Sequence, residues 1–226
     1  MDITITYLLI IISLIITLSA QLFISTAYAK YTKIINKKQI TGSKAARIIL
    51  DKNGLNNIKI NCVSGYLTDH YNPQQKVINL SEINFAEPSI AALAVASHEC
   101  GHAIQDKEGY SFMKIRAFLV PIVNFSSYAG YFAILLGCLF GSMNLIWLGI
   151  MAEIVILLFQ IITLPVEIDA SNRAIKELQK YDLLDQNEIS GAKTMLSAAA
   201  LTYVASIATT IIQIIRLILL FDKKER

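Results

Sequence analysis

Apolar residues gather into four long runs, at roughly 5–28, 118–140, 145–165 and 199–221, and the charged residues collect between them. A helix of about 20 mostly apolar residues crosses the hydrocarbon core of a bilayer, so each run is long enough to span one. The fourth run carries Thr209, Thr210, Gln213 and Arg216. Those residues also suit a helix lying along the interface or inside a bundle. The first run ends near Ala27-Tyr28-Ala29, which resembles a small-x-small cleavage site. The segment before it holds Asp2 and no Lys or Arg, and the run is longer than a usual signal-peptide core. The pattern therefore favours a retained anchor over residues 1–29.

Between the first two runs the periodicity changes. Thr41 to Asn53 reads as a short helix with Gly54 as its left-handed stop. Ile58 to Val63 and Lys76 to Leu80 alternate and are short, so strands are expected, with turn chemistry at Tyr71 to Gln75 between them. A small sheet or hairpin follows from that pattern. Pro88 suits a first helical position, and Ala91 to Ala96 are good helix formers. That helix should run to Gln105 or Asp106 and stop before Gly109. It is nearly all apolar until His98, so burial is expected. Residues 166–197 form a second polar segment, helical through Gln179.

Composition strengthens the membrane reading. Of 226 residues, 54% are hydrophobic and 16% charged, and the mean hydropathy is +0.52. The net charge of +3 is too small for a nucleic-acid binder, and no nucleic-acid module is visible. Three cysteines, Cys62, Cys100 and Cys138, are odd in number and differ in setting, which suits a reducing compartment. The stretch 30–117 carries 12 of the 20 Lys and Arg residues, so it is expected on the cytoplasmic face. The second and third runs then form a hairpin that returns 166–197 to that face. The basic residues at 222–226 fall on the other side, a mild violation.

The chemistry sits in His98-Glu99-Cys100-Gly101-His102. Histidines four apart lie on one helix face about a turn apart, where both can bind one metal. Glu99 stands at the edge of that face, able to reach a water on the metal without ligating it. This is the arrangement of zinc peptidases. A pair of structural helix histidines is the bland alternative. Cys100 falls on the opposite side and reads as packing, while Gly101 permits close approach of another backbone. A catalytic zinc usually takes three protein ligands. Glu167, which opens the polar helix after the third run, is one candidate for the third ligand; its alternative role is a dipole-favoured carboxylate. His70 and Cys62 also remain open. Asp169, Ser171, Asn172 and Arg173 could orient the histidines. Glu153, inside the third run, should face protein or water.

The chain resembles the bacterial membrane-bound neutral zinc metallopeptidases, the YugP-like family, and more distantly the HtpX-type membrane proteases. The resemblance rests on His98 to Gln105, on Asp69-His70-Tyr71-Asn72-Pro73, on Glu167 to Ala174, and on the order of spans. It implies His98, His102 and Glu167 as ligands of Zn2+ and Glu99 as general base. Cys100 departs from the expected small aliphatic residue. The expected fold is mainly α: a multi-span membrane bundle with a zincin-like lobe containing a small β-hairpin or sheet. Its parts are an anchor (1–29), a cytoplasmic catalytic lobe (30–117), a membrane hairpin (118–165), a third-ligand segment (166–198), and a last membrane helix with a basic tail (199–226). The function implied is peptide hydrolysis at the cell membrane, on protein or peptide substrates that include membrane proteins. A deformylase-like zinc amidase using Cys62, and a zinc-binding membrane scaffold, are the alternatives.

Overall fold

A computed structural model describes residues 3–221; Asp2 and the basic tail at 222–226 lie outside the described residues. The protein is mainly α. In chain order the elements are α1 (Ile3–Thr32), α2 (Gly42–Lys52), β1 (Lys59–Val63), β2 (His70–Asn72), β3 (Val77–Ser81), α3 (Glu82–Ala86), α4 (Ile90–Glu108), α5 (Ser111–Phe140), α6 (Met143–Lys180) and α7 (Gln186–Phe221). Four of these helices, α1, α5, α6 and α7, are long and apolar enough to cross a membrane. The chain divides into two compact units, one of 1–21, 114–165 and 201–226, the other of 22–113 and 166–200.

The first unit contains the apolar parts of the long helices. Their large side chains stay uncovered, with Phe125 and Tyr128 each 73% exposed. In water so large an apolar surface would drive association; against lipid it is the ordinary exterior. α5 and α6 run tightly together, because Gly130 leaves no room for a Cβ, which would meet the Ala152 Cβ at 2.6 Å. Ile146 and Ile150 on α6 pack with Ile214, Leu217 and Phe221 on α7.

The second unit holds the hydrophobic core, in which Ile49, Leu50, Ile78, Leu80, Leu93 and Leu178 are fully enclosed. α4 runs through it. Its start is capped by Ser89, whose Oγ accepts from the Ala92 N–H at 3.1 Å. Helix formation thus begins at Ile90, two residues beyond Pro88, since the serine satisfies an otherwise orphaned donor. The helix continues to Glu108. Gly109, at φ 68°, turns the chain left-handed while the Tyr110 N–H reaches back to the Gln105 carbonyl at 2.9 Å. Only a residue without a Cβ takes that conformation cheaply.

The sheet has order β1-β3-β2. β1 is parallel to β3, with Lys59 opposite Val77, and β2 is antiparallel to it, with His70 opposite Asn79. Tyr71 and Asn72, expected in a turn, therefore form an edge strand. The turn lies just beyond, where the Asn72 side chain accepts from the Gln74 and Gln75 N–H groups at 3.0 Å. The hairpin joins β2 to β3 rather than β1 to β3.

A second difference lies at Pro165. The apolar run and the polar segment that follows form one helix, α6, with Pro165 inside it. Val166, Ala170, Ala174 and Leu178 are all fully buried, a stripe with a period of four. Packing of that stripe outweighs the hydrogen bond that the proline removes. α5 likewise begins at Ser111, ahead of the apolar run it contains, and α7 begins at Gln186.

Candidate metal centre

α4 delivers the two histidines. Their rings lie 4.7 Å apart between centroids, at 83° to each other, as positions one turn apart on a helix face require. α6 delivers Glu167. Its Oε2 is 3.2 Å from His98 Nε2 and 3.6 Å from His102 Nε2. All three side chains offer a ligand atom within 4.8 Å of one another. Tetrahedral zinc with nitrogen and oxygen ligands at about 2.0–2.1 Å separates its ligand atoms by roughly 3.4 Å. The histidine-to-carboxylate distances bracket that value, so Glu167 stands where a zinc ion shared with either histidine needs its third ligand.

What lets α6 come this close is Gly101. A Cβ there would meet the Ala170 carbonyl oxygen at 2.5 Å. The expectation of a close backbone approach at this glycine thus finds its partner in α6. Cys100, on the other side of α4, is fully buried and its Sγ faces the Ala46 carbonyl. Burial pushes the Cys100 thiol well up, leaving it an inert packing group.

Both imidazoles are held from behind. Ser171 Oγ lies 3.2 Å from His98 Nδ1. Gln105 Oε1 lies 2.9 Å from His102 Nδ1 and accepts a hydrogen bond from its N–H. That leaves Nε2 facing Glu167. The Gln105 amide in turn donates to the Val166 carbonyl and to Asp169 Oδ2, both at 2.8 Å. Asp169 is also bound by Arg173 Nε at 2.5 Å, and Arg173 reaches Glu108 at 2.6 Å. Asp169, Ser171 and Arg173, read from the sequence as possible orienting groups, therefore all touch this chain of contacts. Gln105 was not singled out for a role. Its sequence signal was its spacing, three residues after His102 on the same helix face.

Glu99 is buried beside the histidines. Its Oε2 accepts the Tyr71 N–H at 2.8 Å. Tyr71 is on the sheet's edge strand, so the carboxylate satisfies an N–H that β3 does not use. Tyr71 is anchored further by its hydroxyl, which donates to Asp106 Oδ2 at 2.7 Å. Burial and the Asp106 carboxylate both push that hydroxyl's pKa up. At Glu167 burial acts to raise the pKa, but the adjacent His102 and His98 imidazoles prevail and hold the carboxyl well below its usual range. At His102 burial lowers the pKa, yet Glu167 and Glu99 outweigh it and the net shift is upward.

Two sequence candidates fall outside this group. His70 is exposed; its Nδ1 lies 2.8 Å from the Thr68 carbonyl and its Nε2 3.0 Å from Asn79 Nδ2. Cys62 is exposed on β1. Strand alternation puts His70 on the face of Asn61 and Asn79, opposite the buried Ile78 and Leu80.

A family described as "Putative neutral zinc metallopeptidase" matches residues 6–222 of the chain. The curated protein "Putative membrane protease YugP" of Bacillus subtilis (strain 168) is 42% identical over 202 residues, which cover 89% of this chain and 90% of that protein. No solved structure matches.

Proposed function

The chain belongs to the neutral zinc metallopeptidase family, and from that premise we propose that it hydrolyses peptide bonds with Glu99 as general base and with His98, His102 and Glu167 as the zinc ligands. The observation that carries this reading is the convergence of those three side chains within 4.8 Å, with Glu99 buried next to them. Zinc in this position supplies a Lewis acid that makes water nucleophilic at neutral pH.

The chain's own residues do the rest. Gln105 keeps the His102 imidazole in the tautomer that turns Nε2 toward Glu167, and Ser171 holds the His98 ring in place. The Tyr71 N–H fixes one Glu99 oxygen and leaves the carboxylate oriented to take the proton of the attacking water. Glu99 then gives that proton to the leaving amine, as a general acid formed in the first step. The four long apolar helices make this a membrane protein, and substrates that are membrane proteins, or their exposed segments, suit that setting. The basic residues that follow the first apolar run, Lys30, Lys33, Lys37 and Lys38, support a cytoplasmic location for the catalytic lobe.

The test is metal content together with cleavage of casein or a membrane-protein substrate, on wild type, Glu167→Ala and Glu99→Gln. The reading expects one zinc per chain in wild type, its loss in Glu167→Ala, and its retention in an inactive Glu99→Gln. Full activity without Glu99 would sink the mechanism.

A further inference from the structure

The second unit includes the last part of α1, from Leu22 onward. Leu22 and Phe23 are exposed there, and within about two turns the chain becomes basic at Lys30 and Lys33. Outward apolar residues that give way to lysines mark where a membrane helix leaves the hydrocarbon. Tyr28 lies between the two groups and is 2% exposed. Helical side chains lean toward the N-terminus, so its ring sits about one turn back along α1, on the apolar side. Tyr66, in the loop from β1 to β2, packs edge-on against that ring with 5.3 Å between centroids.

Tyr66 is nonetheless 63% exposed, and its neighbour Leu67 45%. Leu67 is held at φ 56°, next to Tyr66 and beyond Gly65 at φ 115°. That backbone region penalises a leucine, and a loop facing only water would be cheaper with Gly or Asn there. The base of the loop is tied to α1 by one network. Asp69 accepts from the Ser81 N–H at 2.8 Å and from Asn84 Nδ2 at 2.9 Å, and Asn84 Oδ1 accepts from the Tyr28 hydroxyl at 3.1 Å.

We propose that Tyr66 and Leu67 insert into the headgroup–acyl boundary of the bilayer beside α1, as an interfacial anchor of the second unit. The partner is lipid because the loop rests on α1 where its outward apolar residues end, and α1 is long and apolar enough to cross a membrane. Tyrosine suits that depth, with an apolar ring and a hydroxyl that stays wet; the leucine adds buried apolar area. From Leu67 to His70 the chain spans at most about 10 Å. The anchor therefore keeps β2, whose Tyr71 N–H binds Glu99, close to the membrane surface. Cleavage confined to segments near the bilayer follows only on the peptidase reading; the anchoring does not depend on it.

The test uses the full-length protein in phosphatidylcholine vesicles. Trp147→Phe removes the single tryptophan, and Tyr66→Trp or Leu67→Trp, in separate variants, introduces a reporter. Trp emission is compared in vesicles whose acyl chains carry bromine near the headgroup end, near the methyl end, or nowhere. The proposal expects emission blue-shifted from that of the unfolded chain, and quenching that is stronger with the shallow bromine than with the deep. Equal emission in all three vesicles would overturn it, whether red-shifted as in water or blue-shifted as under a second copy or another protein. So would deep bromine that quenches as well as shallow. Should one variant lose cooperative melting, the other reporter decides. Zinc plays no part in this readout, so failure here leaves the peptidase reading standing, and loss of zinc from wild type would leave the anchor standing.

Discussion

Replacing Gly101 with alanine adds one methyl group at the point where α4 meets α6. That methyl would lie 2.5 Å from the Ala170 carbonyl oxygen and 3.1 Å from the Ala170 Cα. Carbon and oxygen need about 3.3–3.6 Å, so the helices must part by roughly 0.5–1 Å at this crossing. No side chain can yield instead, because the obstruction is backbone. Overpacking of this kind costs about 1–3 kcal/mol. For a chain of this size each kcal/mol lowers Tm by about 2–4 °C. The larger effect should be on metal. His98 and His102 ride on α4 and Glu167 on α6, three residues before Ala170. A displacement above 0.5 Å exceeds the roughly 0.2 Å tolerance of metal–ligand distances, so zinc affinity should fall about tenfold or more. The assay is competitive zinc titration of detergent-solubilised wild type and Gly101→Ala, with thermal melting in parallel. Unchanged zinc affinity together with an unchanged Tm would refute the claim that this contact sets the distance between the ligand-bearing helices.

Other consequences can be checked on the same preparation. Gln105→Leu removes the acceptor on His102 Nδ1 and the amide donor to Asp169 and the Val166 carbonyl; zinc affinity should drop about 10- to 100-fold, and Gln105→Glu, which keeps an acceptor there, should recover part of it. If both variants bind zinc like wild type, Gln105 does not position His102. Ser89→Ala deletes the cap of α4 and should lower stability by about 1 kcal/mol, visible as a small fall in Tm at unchanged zinc content. Removing zinc with a chelator should lower Tm in proportion to the logarithm of free zinc over Kd. A Tm indifferent to chelation would mean that α4 and α6 are not clamped by metal.

The family was legible in the chain's motifs and spans. Apolar length alone marks four helices, since crossing a bilayer imposes a minimum run. The spacing of His98 and His102 places them on one face of any helix, and Gly109 and Gly54 announce chain reversals through their backbone freedom. These signals are local, set by residues within a turn or two of one another. Glu167 was different. It is far from His102 in sequence, and only resemblance ranked it above His70 and Cys62, because which carboxylate meets the histidines depends on where α6 crosses α4. The placement of β2 at the sheet edge, with its Tyr71 N–H aimed at Glu99, also had no local signal, since parallel pairing of β1 with β3 joins strands that are not neighbours in the chain. The same holds for Pro165, where a buried stripe carries the helix through a residue that would ordinarily end it. Secondary structure and motif chemistry are written in short-range periodicity; the metal geometry comes from long-range packing, above all from the missing side chain at Gly101 that lets two helices touch.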